Sequence, residues 1–233
     1  MKQVILITGD SRGIGKSLCE HFCNRGFFVF GCSRSEAGFS HPGYVHMVAD
    51  ITKEAEVKMV VRRCLDERQH IDILINNAGI ASMNHLVSTP ATTAINLFET
   101  NFLGTFLFSR EVSKAMIKNN YGRIVNFTTV ARPLNLEGEL VYASTKAAVE
   151  QFTKVAAKEL GSFNITVNAV GPTPVATGLT KTVPKEKLDK IINSQAIKRM
   201  GTFSDIHHVV DFLVDPKSDF ISGQVIYLGG INS

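Results

Sequence analysis

Residues 4–15 constrain the fold of this chain more than any other stretch. Val4-Ile5-Leu6-Ile7 is a short unbroken apolar run, the pattern of a strand buried on both faces, as in a parallel sheet. It passes without a linker into Thr8-Gly9-Asp10-Ser11-Arg12-Gly13-Ile14-Gly15, and then into a segment with Leu18, Cys19, Phe22 and Cys23 at helical spacing. A parallel strand needs a crossover to reach its neighbour, and the helix supplies it. The glycines let backbone approach a pyrophosphate closely. The free N–H groups and dipole of the first helical turn favour negative charge. The spacing Gly-x-x-x-Gly-x-Gly differs from the common dinucleotide fingerprint, and any tight strand-to-helix turn favours glycine. Three glycines in this setting nevertheless predict a dinucleotide site.

The alternation continues along the chain. Strands are predicted at 4–7, 27–31, 44–48, 71–75, 123–127, 165–170 and 224–228, and helices near 15–25, 53–69, 92–118, 142–161 and 205–214. This order predicts an α/β fold of three layers, doubly wound, with a seven-stranded parallel sheet, helices on both faces and right-handed crossovers. Ligand is expected beyond the carboxyl ends of the strands. No linker or repeat interrupts the pattern, so residues 1–233 read as one domain with one sizeable core. The long irregular stretch at about 172–200, with Pro172, Pro174 and Pro184, is expected to form a loop or short-helix lid over substrate.

Composition excludes several alternatives. Twenty-five basic against 21 acidic residues give a net charge of +4, too small and too scattered for nucleic acid. No apolar run approaches a membrane span, and no basic region precedes an apolar one at the start of the chain. Cys19, Cys23, Cys32 and Cys64 lack metal-ligand spacing. They read as reduced core residues of a cytoplasmic protein, with no metal.

The second chemical signal is Tyr142-Ala143-Ser144-Thr145-Lys146 in a helical segment. Residues four apart share a helix face, so the phenol and the ammonium converge. A nearby positive charge favours the phenolate. Lowering a phenol from about 10 to about 7 needs roughly 4 kcal/mol, so a second cation or further hydrogen bonds are expected close by. A phenol tuned in this way exchanges a proton with a substrate oxygen.

With these two motifs in this order, the chain resembles the short-chain dehydrogenases/reductases over essentially its whole length, a family with the three-layer Rossmann-type fold. Thr8 to Gly15 resembles their cofactor turn and Tyr142 with Lys146 their catalytic pair; Asn76-Asn77-Ala78-Gly79 resembles the motif after the fourth strand. Asp50-Ile51 matches the adenine-side Asp at the end of the third strand, and Glu99-Thr100-Asn101 carries the Asn of a helix kink and proton relay. The resemblance implies an oxidoreductase that reduces a ketone to a secondary alcohol, or the reverse. Tyr142 would be general acid or base, Lys146 would depress its pKa and bind the nicotinamide ribose, and Asn101 would position the relay. Thr129 stands where the family usually has a serine to orient the carbonyl; it keeps a donor and adds a methyl. Implied cofactor contacts are Gly9, Ser11, Arg12, Gly13, Ile14, Gly15, Asp50, Ile51, Asn77, Ala78 and Gly79, with Pro172, Val175 and Thr177 toward the nicotinamide. At the end of the second strand, Ser33 and Arg34 replace the acidic residue of NAD-selective members. With Arg12 they predict NADP(H), since guanidinium groups suit a 2′-phosphate.

The nearest resemblance is to 3-oxoacyl-[acyl-carrier-protein] reductases, through the glycine turn, Gly122 to Asn126, and Lys198 to Gly201. Asn120 and Phe163, however, stand where carrier-docking arginines are expected, with Lys118 and Lys158 as partial substitutes. A carrier-bound acyl chain, another small keto or hydroxy metabolite, and a weakly active nucleotide-binding protein all stay open as readings. Arg132, near Glu137 and Glu139, reads either as a contact for an anionic substrate or as a surface or subunit contact. The apolar helix after Tyr142, with the 92–118 helix, is expected to build a homodimer or homotetramer.

Overall fold

The computed structural model describes residues 2–176, 178, 180 and 183–232. One parallel sheet holds β1 (Val4–Thr8), β2 (Phe28–Ser33), β3 (Tyr44–Val48), β4 (Ile73–Asn76), β5 (Gly122–Phe127), β6 (Ile165–Gly171) and β7 (Val225–Tyr227), in the order β3-β2-β1-β4-β5-β6-β7. The helices are α1 (Gly13–Asn24), α2 (Glu54–Arg68), α3 (Ala91–Phe98), α4 (Gly104–Asn119), the short α5 (Ala131–Leu134), α6 (Leu140–Leu160), α7 (Lys185–Ser194) and α8 (Phe203–Val214). The doubly wound, seven-stranded expectation holds.

The unbroken apolar strands follow from burial on both faces. Successive side chains of a strand point to opposite sides. Val4 and Leu6 enter one core with Val57, Val60, Phe108 and Val112 from α2 and α4, whereas Ile5 and Ile7 enter another with Leu18, Phe22, Ile206 and Val210 from α1 and α8. All four cysteines are free and buried, as the sequence suggests.

One element differs from the sequence reading, and in another the structure selects between the loop and the short helix left open there. The helix expected at 92–118 is broken into α3 and α4 by a π turn at Glu99–Leu103, where Asn101 sits. The 172–200 stretch is not irregular throughout. Pro184, with φ −55°, starts the ten-residue helix α7, its fixed φ suiting a helix entry.

β1 pairs with β2 on one side and β4 on the other, so the chain order reverses between β1 and β4. That reversal opens a crevice at the carboxyl ends of the strands, and the motif residues collect there.

Candidate active site

The glycine turn is held open by its own backbone and by Asn77. Gly9 has φ 75° and donates its N–H to the Cys32 carbonyl at 2.8 Å. The Asn77 side-chain amide donates to the carbonyls of Thr8 (2.9 Å) and Gly9 (3.2 Å), and the Thr8 hydroxyl accepts from the N–H groups of Asn77 and Ala78. A methyl at Gly15 would lie 2.1 Å from the Gly9 carbonyl oxygen, so α1 approaches the turn as closely as backbone allows. The first turn of α1 has neither a side-chain cap nor an acidic residue, and its N–H groups stay free for an anion.

A groove of about 620 Å³ runs along this turn. Gly9, Ser11, Arg12, Gly13 and Ile14 line it on one side, Ser33, Arg34, Asp50 and Ile51 on the other, and Asn77, Ala78 and Gly79 close its inner end. Arg12 and Arg34 are exposed, and neither forms an ion pair among the described residues. Burial would raise the Asp50 carboxyl, but the Thr52 N–H and hydroxyl and the Arg34 charge hold it below the usual range. The Ser33 hydroxyl donates to the Ser35 carbonyl at 2.8 Å, which shapes the loop carrying Arg34. Gly15 braces the turn from behind. Thr177 lies outside the described residues.

A second cavity of about 190 Å³ adjoins the groove and shares Ile14, Asn77, Gly79, Ile80 and Ala81 with it. Tyr142, Lys146, Thr129, Pro172 and Val175 line this cavity. The Thr129 hydroxyl lies close enough to the Tyr142 phenol to favour its ionised form. Lys146 is buried and donates from Nζ to the Phe127 carbonyl at 2.8 Å. A Cβ built on Gly79 would lie 3.4 Å from that Nζ and 3.2 Å from Asn101 Oδ1, so a larger residue there would press on Asn101.

The expected tuning of the phenol is not supplied by the chain itself. Tyr142 is pushed up to about 12, mainly by burial; the Thr129 hydroxyl opposes this and the Glu139 carboxylate adds to it. Lys146 is itself pushed down to about 8 by burial, and its ammonium is committed to a backbone carbonyl. Spacing on a helix predicts proximity, but desolvation sets the sign here.

Asn101 lines neither cavity. Its side chain clasps Ile80 in both directions, accepting from the N–H at 2.8 Å and donating to the carbonyl at 2.9 Å, and it donates to the Thr145 hydroxyl at 3.0 Å. It thereby ties the π turn to the cavity wall and to α6.

Helix α6 holds the end of β5 residue by residue. Tyr142, Lys146 and Glu150, each four apart, engage Thr129, Phe127 and Thr128 respectively, and Thr153 accepts from Asn126 Nδ2 at 2.9 Å. Glu150 is buried and accepts from the Thr128 hydroxyl at 2.6 Å and from the Tyr227 hydroxyl. Arg132 pairs with the same carboxylate at 3.1 Å. Arg132 therefore neutralises a buried carboxylate, and neither sequence reading of it, anion contact or surface contact, describes that role. Sequence reasoning missed Glu150. Its signal was an acidic residue four positions after Lys146, on the helix face that carries Tyr142 and Lys146.

A parallel sheet with an anion-binding glycine turn at its switch point and a phenol–hydroxyl pair beside it defines a dinucleotide-binding oxidoreductase site. The family description "short chain dehydrogenase" matches residues 3–188, and the chain belongs to that family. It is 33% identical to the 3-oxoacyl-[acyl-carrier-protein] reductase FabG of Vibrio cholerae over 98% of this chain and 96% of that one. With the enzyme of the same name from Escherichia coli it shares 30% identity, again over 98% and 96%. Among solved structures, ElxO with NADP bound superposes with a TM-score of 0.90 at 29% identity, covering 98% of this chain and 97% of ElxO. The ligand-free aldohexose dehydrogenase of Thermoplasma acidophilum gives 0.90 at 26% identity, over 99% and 94%.

Proposed function

We propose that this protein is an NADP(H)-dependent oxidoreductase that reduces a ketone to a secondary alcohol, or runs the reverse, in the manner of the 3-oxoacyl-carrier-protein reductases it resembles. The observation that carries this reading is the Tyr142–Thr129 hydroxyl pair in a cavity continuous with the dinucleotide groove. The groove fits the cofactor: a turn without room for a Cβ at Gly15, an uncapped helix N-terminus, and two lining guanidiniums, free of ion pairs among the described residues, that suit a 2′-phosphate. ElxO, a neighbour of the same fold, has been solved with NADP bound.

When bound, the reduced nicotinamide supplies a hydride. Thr129 and Tyr142 direct their hydroxyls at the carbonyl oxygen, fixed donors aimed at the charge that develops there. Tyr142 then releases its proton to that oxygen, and in oxidation its phenolate takes the proton back. Lys146, on the same helix face and anchored to the Phe127 carbonyl, supplies a donor for the ribose. Asn101 fixes the cavity wall through Ile80. Val183 and Ile191, from the segment read as a lid, line the cavity opposite.

The test is NADPH oxidation followed by absorbance over acyl thioesters, cyclic ketones and keto sugars. Tyr142→Phe should lower kcat by about 10²–10⁴-fold. Wild-type turnover in that variant would overturn the reading.

A second reading, another small keto or hydroxy metabolite as substrate, is favoured by the Glu139 carboxylate in the cavity, which finds no counterpart on an alkyl chain. That an aldohexose dehydrogenase is among the structural neighbours agrees with it. Among the described residues no helix is long and apolar enough to cross a membrane. The four free cysteines suit the reducing cytoplasm. Exposed Phe98, Leu103 and Val155, on the α3–α4 and α6 faces, support association of two or four copies.

A further inference from the structure

Three acidic residues lie close to the catalytic cavity, and their surroundings differ. Glu150 is buried but fully engaged by Thr128, Tyr227 and Arg132. Glu137 is exposed, with its side chain beside His85. Glu139 matches neither. It lines the cavity, is partly buried, and is the only carboxylate among the described residues that do so. Burial raises its pKa, and the Lys187 ammonium of α7 opposes the rise from beyond ion-pairing distance. That ammonium instead contacts the Met83 sulfur at 3.4 Å. Among the described residues no donor reaches the Glu139 carboxylate.

Its position relative to the chemistry is fixed by the helix. Glu139 is the residue that caps α6, and its carbonyl accepts from the Ala143 N–H at 2.8 Å. Tyr142 follows three residues later, so the carboxylate and the phenol face the same space. The two are close enough for the carboxylate to act on the phenol electrostatically. The surrounding wall is mostly apolar, with Ile80, Val130, Leu136, Pro174 and Ile191 among its residues. A partly desolvated acceptor without a donor is unfavourable until a ligand brings one. An anionic substrate would be repelled, and an unsubstituted acyl chain would cover the carboxylate without satisfying it.

We infer that Glu139 is a substrate-specificity residue: it accepts a hydrogen bond from a hydroxyl on the carbon next to the reacting carbonyl. The substrate class is therefore a neutral hydroxyketone and the product a vicinal diol. This rests on the reading that Tyr142 protonates a carbonyl in this cavity.

The experiment pairs cyclohexanone with its adjacent-hydroxyl derivative in NADPH-dependent reduction. In parallel, calorimetry compares cyclohexanol with the vicinal cyclohexanediol as ligands of the protein saturated with NADP. Wild type, Glu139→Gln, Glu139→Leu and, as a neighbouring control, Glu137→Gln are compared. The hydroxylated partner should be favoured about tenfold or more in wild type and in Glu137→Gln, the range for a hydrogen bond to a charged group. The preference should sit in KM and in Kd. Glu139→Leu should abolish it, and Glu139→Gln, isosteric and still an acceptor, should retain part of it. A wild-type ratio near one in both readouts, or a preference that survives Glu139→Leu, overturns the assignment. A Glu139-dependent diol preference in a protein that reduces no ketone would instead overturn the reductase reading. Turnover without any hydroxyl preference would do the opposite.

Discussion

Lys146→Met should abolish turnover and leave the protein about as stable near neutral pH, although it removes a buried side chain. The magnitudes come from the site. Burial lowers the Lys146 ammonium from an ordinary 10.5 to about 8, so keeping it charged inside the fold costs about 3 kcal/mol at about 1.4 kcal/mol per pH unit. Methionine has similar reach and removes that cost, but it forfeits the bond to the Phe127 carbonyl, which contributes about 1.5–3 kcal/mol as a charged hydrogen bond. The two nearly cancel. The pH dependence is more diagnostic. Because the folded value lies below the unfolded one, the unfolded chain holds more protons between about 8 and 10.5, and wild-type stability rises with pH across that window. Below about pH 8 both states are protonated and this contribution is flat. The variant lacks the rise. Its stability relative to wild type should therefore fall by about 3 kcal/mol from near pH 7 to near pH 10.5. Tyr142 is present in both proteins and drops out of the difference to first order. Urea unfolding followed by circular dichroism, at fixed protein concentration across this range, measures it. Parallel stability curves for the two proteins would refute the claim that burial depresses this lysine.

Arg34→Asp should lower kcat/KM with NADPH by about 10- to 100-fold, the loss of one charged hydrogen bond, and raise it with NADH; preference for NADH in the unmodified protein would end the 2′-phosphate argument. Gly15→Ala places a methyl 2.1 Å from the Gly9 carbonyl oxygen and 2.5 Å from Asn77 Nδ2. It should cost about 1–3 kcal/mol in denaturant unfolding and weaken NADPH binding, and an unchanged midpoint with unchanged affinity would contradict the close approach. Tyr142 is pushed up to about 12, so ketone reduction should stay flat through neutral pH while alcohol oxidation rises about tenfold per pH unit toward that value. Glu139→Gln removes a charge that raises the phenol and should move the oxidation limb to lower pH; an oxidation rate that is level between about pH 7 and pH 9 would count against Tyr142 as the base.

The fold was legible because its signals are local. Val4 to Ile7 is apolar at every position since both faces of β1 are covered, and the turn after it needs glycine where Gly9 adopts a positive φ. The cofactor groove was legible for the same reason, its residues being sequence neighbours at strand ends. What stayed hidden depends on contacts between distant segments. Arg132 reads as a free cation until Glu150 is placed beside it by packing α6 on β5. Asp10 stands in the glycine turn with no sequence sign of a partner, yet it is buried and bonded to Tyr44 and to His46 of β3 (2.7 Å), with Gly31 leaving it room. The sign of the Tyr142 shift was hidden because spacing reports which groups are near, and says nothing about how much water the fold removes from them.

The arrangement of buried charge around β5 has a common logic. A helix packed against a parallel strand runs antiparallel to it, so a stripe of residues three or four apart on α6 lies along the end of β5 and the residues just after it, with Tyr142 at Thr129 and Thr153 back at Asn126. Asn126, Phe127, Thr128 and Thr129 are each held by one residue of that stripe. Of the four contacts, two use the buried titratable side chains Lys146 and Glu150, which apolar residues of similar volume would replace at little loss of stability. Stability alone therefore does not account for them. What the charged contacts add is direction: each fixes the backbone or side chain next to Thr129, whose hydroxyl has to meet a carbonyl oxygen within a hydrogen-bond length. Glu139, at the head of the same helix, lines the cavity, no donor among the described residues reaches it, and it faces the space where a substrate would bring one.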